Sequence, residues 1–578
     1  MLKRSLSRNL VIAGTCGLAI LPFFCWGTPS GHDIDFHLSS WMEVLSQWKQ
    51  GIVLPRWAAL AHWGYGEARF LFYPPASWSL GASLGAILPW KMVAGAYCWI
   101  VLALAGVSMY ALARRWLRPS DALFAAAFYA VNPYHLLIVY WRSAFAELMS
   151  AILVPLVLLC VLRIRESGLR PVLWLSLPLA AAWLTNAPAA LMIHYSAAAL
   201  ACLIAVQQKS PRPLIRTALA ALLGAGLASF FLLPAIYEQH WINIAQVLSP
   251  GVMPQDNFLF TPTQDSDHNR FNFLISLVAI AEIAVTAFSM WLARKRLDRP
   301  TWLLLSAWVT ASAFVMLSVS NFLWQYLPEF RFVQLPFRWL LCLNVPLALL
   351  LTAATVPGLA NSKRPADSAP DDAPDEPATA STAPAPWAFR ATVCALLLVV
   401  LLVAGHRIQP PWWDTSADIE EISDAISNGT GYEGTDEYTP ADADPYELNK
   451  DLPPVSDPNG ADAHARILEW GATHRHFTVG ADAPEEVTIR LFNYPAWKVT
   501  VNGRAVATES SEVTHLLVIP LSPGENDVCI DFARTPDRLA GGVLSLIALA
   551  IFAAAWINTR PPQLHAANPA ARFKEADA

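Results

Sequence analysis

Leu10-Val-Ile-Ala-Gly-Thr-Cys-Gly-Leu-Ala-Ile-Leu-Pro-Phe-Phe-Cys-Trp26 sits between a basic start (Lys3, Arg4, Arg8) and the polar stretch Gly31-His32-Asp33-Ile34-Asp35-Phe36-His37. An apolar run with cations on one flank is either a secretory signal or a first membrane span. No small-residue cleavage site follows it cleanly and a long apolar body comes after, so the run predicts a span whose basic end lies in the cytoplasm. The composition agrees: of 578 residues, 55% are hydrophobic and 15% charged, with 24 Trp and 44 Pro. Roughly a quarter of an ordinary soluble domain is charged. A soluble enzyme and a disordered or collagen-like chain are excluded, and a net charge of −6 leaves no electrostatic footprint for nucleic acid.

Further apolar stretches predict spans near 92–113, 121–139, 145–162, 172–186, 188–206, 214–235, 271–293, 302–319, 336–357, 388–404 and 539–557. With the first run, these make an α-helical polytopic membrane protein of about 12 transmembrane helices. Every second connection is basic: Arg114, Arg115 and Arg118; Arg163, Arg165 and Arg170; Lys209, Arg212 and Arg216; Arg294, Lys295, Arg296 and Arg299. That alternation predicts both termini inside. It depends on 172–206 being two short spans that turn at Thr185-Asn186; one long tilted helix would reverse all later topology.

Within 1–360, the expected membrane domain, the outward loop 27–89 carries an apolar piece, Ala76 to Leu88, too short to span and suited to the interface. A moderately long outward loop runs from Tyr237 to Arg270. Residues 361–387, rich in Pro, Ala and Asp, read as a disordered cytoplasmic linker, and 558–578 as a cytoplasmic tail. Between the last two spans, 405–538 begins acidic and then alternates in strand fashion: Val487-Thr-Ile-Arg-Leu-Phe492, Trp497-Lys-Val-Thr-Val501, the turn Asn502-Gly503, and Pro523-Gly524-Glu525-Asn526. This predicts a C-terminal extracytoplasmic antiparallel β domain, sandwich-like. Cys529 is its only cysteine, the other seven lying in or at the ends of spans, so no internal disulfide and no Cys cluster for zinc is expected.

Two carboxylates and two imidazoles within Gly31–His37, at the membrane's outer surface, offer a general base and metal-ligand oxygens. The plainer alternative is that Asp33 or Asp35 caps the helix that follows. Trp63-Gly-Tyr-Gly-Glu67-Ala-Arg-Phe-Leu-Phe-Tyr73-Pro-Pro75 suits either a platform for lipid or sugar faces or a simple aromatic anchor. Asn132-Pro-Tyr-His135 closes the third span, and Arg142 with Glu147 opens the fourth. Arg142 could bind a lipid phosphate bidentately, pair with Glu147 or snorkel to the surface. Arg338 enters a span from outside and is a second phosphate clamp. Glu282 lies mid-span, where a charge is costly, and is expected neutral or facing the bundle interior. Asp265-Ser-Asp-His268 reads as a solvated turn. His474 and His476 share a strand face but lack a third ligand.

On these motifs the chain resembles the GT-C superfamily of membrane glycosyltransferases and, more closely, the bacterial multi-span family named 6-pyruvoyl-tetrahydropterin synthase-related, with the YfhO-like proteins near it. Further matching pieces are Phe72-Tyr-Pro-Pro75, Leu184-Thr-Asn186, Leu335-Pro-Phe-Arg338, Glu437-Tyr-Thr-Pro440 and Phe492-Asn-Tyr-Pro-Ala-Trp-Lys498. The pterin name implies no activity, since the residues do not arrange three histidines and a nucleophilic Cys. The GT-C resemblance implies transfer of a sugar from a polyprenyl-phosphate donor to an envelope glycan, lipid or protein acceptor at the outer face of the bacterial inner membrane. It also implies an acceptor-activating Asp in the first outward loop, Asp33 first and Asp35 second. His32, His37, Glu67, Tyr73, His135, Arg142, Glu147 and Arg338 would bind substrate. No cofactor is certain; a divalent cation, Mg or Mn, is left open, held by Asp33 and Asp35 if one binds. The other readings are a lipid-linked sugar transporter or flippase, for which no internal repeat is visible, and a non-catalytic membrane protein of envelope assembly.

Overall fold

Proline and asparagine place many of the helix boundaries. The computed structural model describes residues 2–356, 386–408 and 413–559. The expected linker lies outside the described residues as far as residue 385, as does the tail beyond 559. Eight described helices are long and apolar enough to cross a membrane, or ten if two bent pairs each count as one span. The expected twelve exceed this for identifiable reasons. The first helix, Leu2–Ala19, starts earlier than expected, takes in the basic residues and breaks at Ile20 before Leu21–Trp26. Arg170–Thr185 is only 16 residues long.

The turn at Thr185-Asn186 is present. Asn186 is extended, and its side chain accepts from the Ala189 N–H at 2.9 Å to open Ala187–Gln208 as a separate helix. Two expected straight spans are bent instead: Arg212–Leu227 and Ser229–Trp241 meet at 80°, and Arg299–Phe314 and Ser318–Tyr326 at 94°. A break inside an apolar layer strands backbone groups that water cannot satisfy. At the first bend the last helix, Pro536–Asn558, supplies the remedy. Ser545 Oγ accepts from the Phe230 N–H at 2.8 Å and lies 3.1 Å from the Leu227 carbonyl.

In the 27–89 loop, strand β1 (Thr28–Pro29) pairs antiparallel with β2 (Trp413–Asp414). The helix Ile34–Lys49 buries His37, Leu38, Trp41, Met42 and Val44. Trp41 stacks on Tyr97, centroids 4.9 Å apart, and a Cβ on Gly81 would fall inside its ring. The expected interfacial helix is Pro75–Gly85.

The acidic residues 415–454 carry no sandwich strand: they form the helix Ser416–Ser427 and turns that lie on the first loop. The sandwich begins at β3 (Val455–Ser456) and continues through β4 (Arg466–Trp470), β5 (His474–Ala481), β6 (Glu485–Phe492), β7 (Trp497–Val501), β8 (Arg504–Val506), β9 (Glu509–Ser510), β10 (Leu516–Leu521) and β11 (Gly524–Phe532). The sheets have orders β3-β6-β10-β9 and β4-β5-β11-β7-β8. Asn502 and Gly503, with φ of 52° and 72°, make the tight turn from β7 to β8. Phe477, Ile489, Leu517 and Val528 fill the core together with Trp57, Tyr65 and Leu71 of the first loop. Loop and sandwich therefore share one interior.

Glu238, at the end of the bent pair, joins the sandwich to the last helix. Its carboxylate takes Arg538 at 2.7 and 2.8 Å and the Tyr494 hydroxyl at 2.7 Å, fully buried. Removing one partner of a buried pair leaves the other charge uncompensated, at a cost of about 3–5 kcal/mol. Glu238→Ala is expected to lower the thermal midpoint in detergent accordingly, with Arg538→Ala doing likewise; an unchanged midpoint in both would contradict this joint.

Candidate functional site

Asn132 and Pro133 interrupt the third span. Asn132 Oδ1 accepts the His135 N–H at 3.0 Å, and the stranded Tyr134 N–H is taken by Glu282 Oε1 at 3.0 Å. Asn344 Nδ2 donates to the other Glu282 oxygen at 3.0 Å, so this acid faces the bundle interior, as its mid-span position required. The chain then widens into a π turn, Ile138–Arg142, a feature frequent at functional sites. Ser143, with φ of 51°, reverses it into Phe145–Ser150.

Gly31 packs directly on this reversal. A Cβ there would stand 2.6 Å from the Ser143 nitrogen and 2.8 Å from the Arg142 carbonyl carbon, so only glycine admits the approach. The Asp33 N–H then donates to the Arg142 carbonyl at 3.0 Å.

Around that contact the side chains form one cluster. Glu147, in the first turn of its helix where a negative charge is favoured, accepts Arg142 Nη1 at 2.7 Å through Oε2. Arg338 Nε lies 3.1 Å from the same oxygen, and the Tyr134 hydroxyl bonds to Oε1. The Arg142–Glu147 pair weighed above is thus formed, with Arg338 as a third member. Arg338 Nη1 is held by Gln334 Oε1 and the Val333 carbonyl, both at 2.8 Å. Two guanidinium groups sharing one carboxylate leave one positive charge over, and Asp33 lies in their field.

Asp33 occupies the N-cap position of Ile34–Lys49, yet its side chain makes no capping bond. Burial pushes its pKa up, and the opposing pull of Arg142 and Arg338 does not fully cancel that. Its carboxylate is half-buried at the rim of the cluster. Asp35 is exposed on the other side of the helix turn, near Glu433 and Asp414, and burial also raises its pKa. The two acids do not converge, so this pair does not fit a shared cation.

The other expected residues divide. Tyr73 packs its ring on Phe36 at 4.7 Å, and its hydroxyl lies within the influence of Asp33 and Arg338. His37 is buried against Phe145. Its Nε2 accepts the Phe145 N–H at 3.1 Å, and burial pushes its pKa down to about 3, so it is a neutral wall of the site. His32 is exposed, 5.3 Å from the Phe271 ring. His135 is fully buried against Tyr129 inside the bundle.

Glu67 belongs to a second cluster. It takes Arg69 at 2.5 Å, His62 at 3.0 Å and the Thr435 N–H at 2.7 Å. Burial alone would raise its pKa, but these partners outweigh burial and hold it low. Arg69 also lies over the Phe36 ring at 4.3 Å, and Glu43 accepts the Tyr432 hydroxyl at 2.5 Å. These contacts clamp the first loop to residues 432–435 and leave Glu67 no open coordination. Sequence reasoning passed over Tyr134, Arg69 and Glu43. Tyr134 stood inside a quoted motif, and Arg69 is a lone cation in an apolar run; Glu43 gave no signal.

Beside the π turn lies an apolar cavity of about 600 Å³ between the first two helices, Leu136–Trp141 and Pro386–Ile408, with Trp26, Tyr140, Leu401 and Trp413 among its walls.

A search of curated proteins found no match. Among solved structures, the arabinofuranosyltransferase AftD from Mycobacteria is similar at 15% identity and a TM-score of 0.40, over 69% of this chain and 27% of that one. The oligosaccharyltransferase AglB from Archaeoglobus fulgidus, solved with an inhibitory peptide and a dolichol-phosphate, is similar at 14% identity and a TM-score of 0.40, over 74% of this chain and 56% of that one. The chain thus spans about a quarter of the first and just over half of the second. The sequence pattern of the 6-pyruvoyl-tetrahydropterin synthase related domain, described as a membrane protein, matches residues 70–409. With more than half its length so matched, the chain belongs to this family of multi-pass membrane proteins.

Proposed function

We propose that the protein is a GT-C-type glycosyltransferase, moving a sugar from a polyprenyl-phosphate donor to an envelope acceptor at the outer face of the bacterial inner membrane, with both termini in the cytoplasm. The observation that carries this reading is Asp33: a carboxylate unused by its own helix, set beside two arginines that share one counter-ion. With Asp33 ionised the four groups balance, and as Asp33 takes up a proton the two guanidinium groups regain one uncompensated positive charge that an anionic group can meet.

The donor's isoprenyl chain lies in the apolar cavity beside Trp141, and its phosphate meets Arg142 and Arg338. Asp33 takes the proton from the acceptor hydroxyl as that oxygen bonds to the anomeric carbon. The bond from that carbon to the phosphate oxygen breaks, and the departing charge is stabilised by the two guanidinium groups, whose effect is large where water is excluded. Tyr73 and His32 flank the acceptor. His37 holds the Phe145 helix start and takes no proton. Every step uses side chains of the protein itself.

Membranes carrying wild type and variants, incubated with labelled polyprenyl-phosphate sugars, test this. Asp33→Asn is expected to lower transfer about 10²–10⁴-fold with expression and thermal midpoint unchanged. Full activity in that variant removes Asp33 from the role and this mechanism with it. Arg338→Gln, which leaves the Arg142–Glu147 pair intact, is expected to cost about 10²–10³-fold.

The pH profile adds a signed check. A base must be deprotonated, so the rate falls as pH drops through the Asp33 pKa, which burial places above the ordinary 3.8. Arg338 pulls that pKa down. Its replacement by Gln is expected to move the acid limb to higher pH; a limb that stays put or moves lower contradicts the assignment.

A further inference from the structure

The five-stranded sheet of the sandwich has one face in the core and one open to solvent. Along β5, Arg475, Phe477 and Val479 point inward, and His474 and His476 outward. Along β11, Val528 and Ile530 point inward, while Asp527, Cys529 and Asp531 point outward. The register sets Cys529 directly opposite His476 and Asp531 opposite His474. A third ligand for His476 therefore comes from a strand some fifty residues further along the chain, which the spacing of the histidines could not reveal.

His476 Nε2 lies 2.6 Å from Asp527 Oδ1. That nitrogen, an Asp527 oxygen and Cys529 Sγ all fall within 4.8 Å of one another. It is the only such group of three or more found among the described residues. Beside it His474 Nδ1 stands 2.7 Å from Asp531 and His474 Nε2 3.8 Å from Glu469. The cations on this face, Arg466 opposite Thr478 and Lys498 opposite Asp531, are outnumbered by the acids Glu469, Asp527 and Asp531. The surroundings are thus net negative.

We propose that this face binds one divalent transition-metal ion of the zinc class through His476 Nε2, the Asp527 carboxylate and Cys529 Sγ, with a fourth position open to water or an outside ligand. A mixed nitrogen, sulfur and oxygen set suits a borderline cation and not magnesium or calcium, which select oxygen alone. Tetrahedral bonds of zinc length need donors roughly 3.3–3.8 Å apart. The His476–Asp527 contact must open and the sulfur close by about an ångström or less, and these side chains are at least partly exposed. The thiol releases its proton to solvent as the metal–sulfur bond forms. The inference is independent of the glycosyl-transfer reading, since its residues lie outside that site.

Full-length protein in detergent, stripped with a chelator, is titrated with cobalt(II) and then competed with zinc(II). One cobalt per chain is expected, with a thiolate-to-cobalt charge-transfer band in the near ultraviolet that zinc abolishes. Cys529→Ser is expected to lose the band. His476→Ala and Asp527→Asn are expected to weaken cobalt binding at least about tenfold, the least that even an outer-sphere partner carries. His464→Ala, an exposed histidine elsewhere, serves as the control and leaves binding unchanged. Unfolding midpoints measured with chelator present establish that the variants are folded. Absence of the band in wild type, its persistence in Cys529→Ser, or wild-type affinity in both His476→Ala and Asp527→Asn overturns the proposal.

Discussion

Glu147 is the group on which the arrangement at the loop end of the bundle depends. It is buried, and it holds Arg142, Arg338 and Tyr134 on its two oxygens. Tyr134 and Arg142 come from the two ends of one helical stretch, the turn behind Asn132 and the π turn that continues it, Arg338 from the 3-10 turn that begins at Pro336, and Glu147 itself from Phe145–Ser150. Without a shared counter-ion, two guanidinium groups could not lie so close in a region shielded from water. The carboxylate therefore fixes the mutual placement of three segments, and Gly31 lets the first loop reach the result.

What the sequence revealed follows physical locality. Apolar runs identify helices because a membrane-sized stretch is written in consecutive residues. Asn502-Gly503 identifies a turn because its backbone angles are a property of two residues. The bend at Ala228 is not legible in this way, since Ser545, which satisfies the exposed backbone there, lies far along the chain. The same limit separates the site residues. Asp33, Arg142 and Arg338 stand out as ionisable groups at span ends. That Arg142 and Arg338 share a single acid, that Asp35 faces away and that Glu67 is saturated by partners are facts of tertiary structure.

The β domain illustrates the point at larger scale. Its strand alternation is plain, but its acidic preamble carries no strand signal and gives no hint that it would lie against the first loop. Tyr432 bonds Glu43, Thr435 bonds Glu67, and Trp57 packs between Tyr494 and Trp497. Loop and sandwich are one hydrophobic unit, so the cluster at Asp33 is backed by a rigid support.

That union has a bearing on biogenesis. A chain made and inserted from its amino end delivers Glu43 and Glu67 hundreds of residues before Tyr432 and Thr435 exist. Arg69 and His62 already stand beside Glu67, and Gln47 and the Ala59 N–H beside Glu43. Until the late partners emerge, however, Glu67 lacks the Thr435 N–H and Glu43 the Tyr432 hydroxyl, and a carboxylate with incomplete bonding resists burial. Completion of the loop's packing is therefore timed by arrival of the late segment beside it.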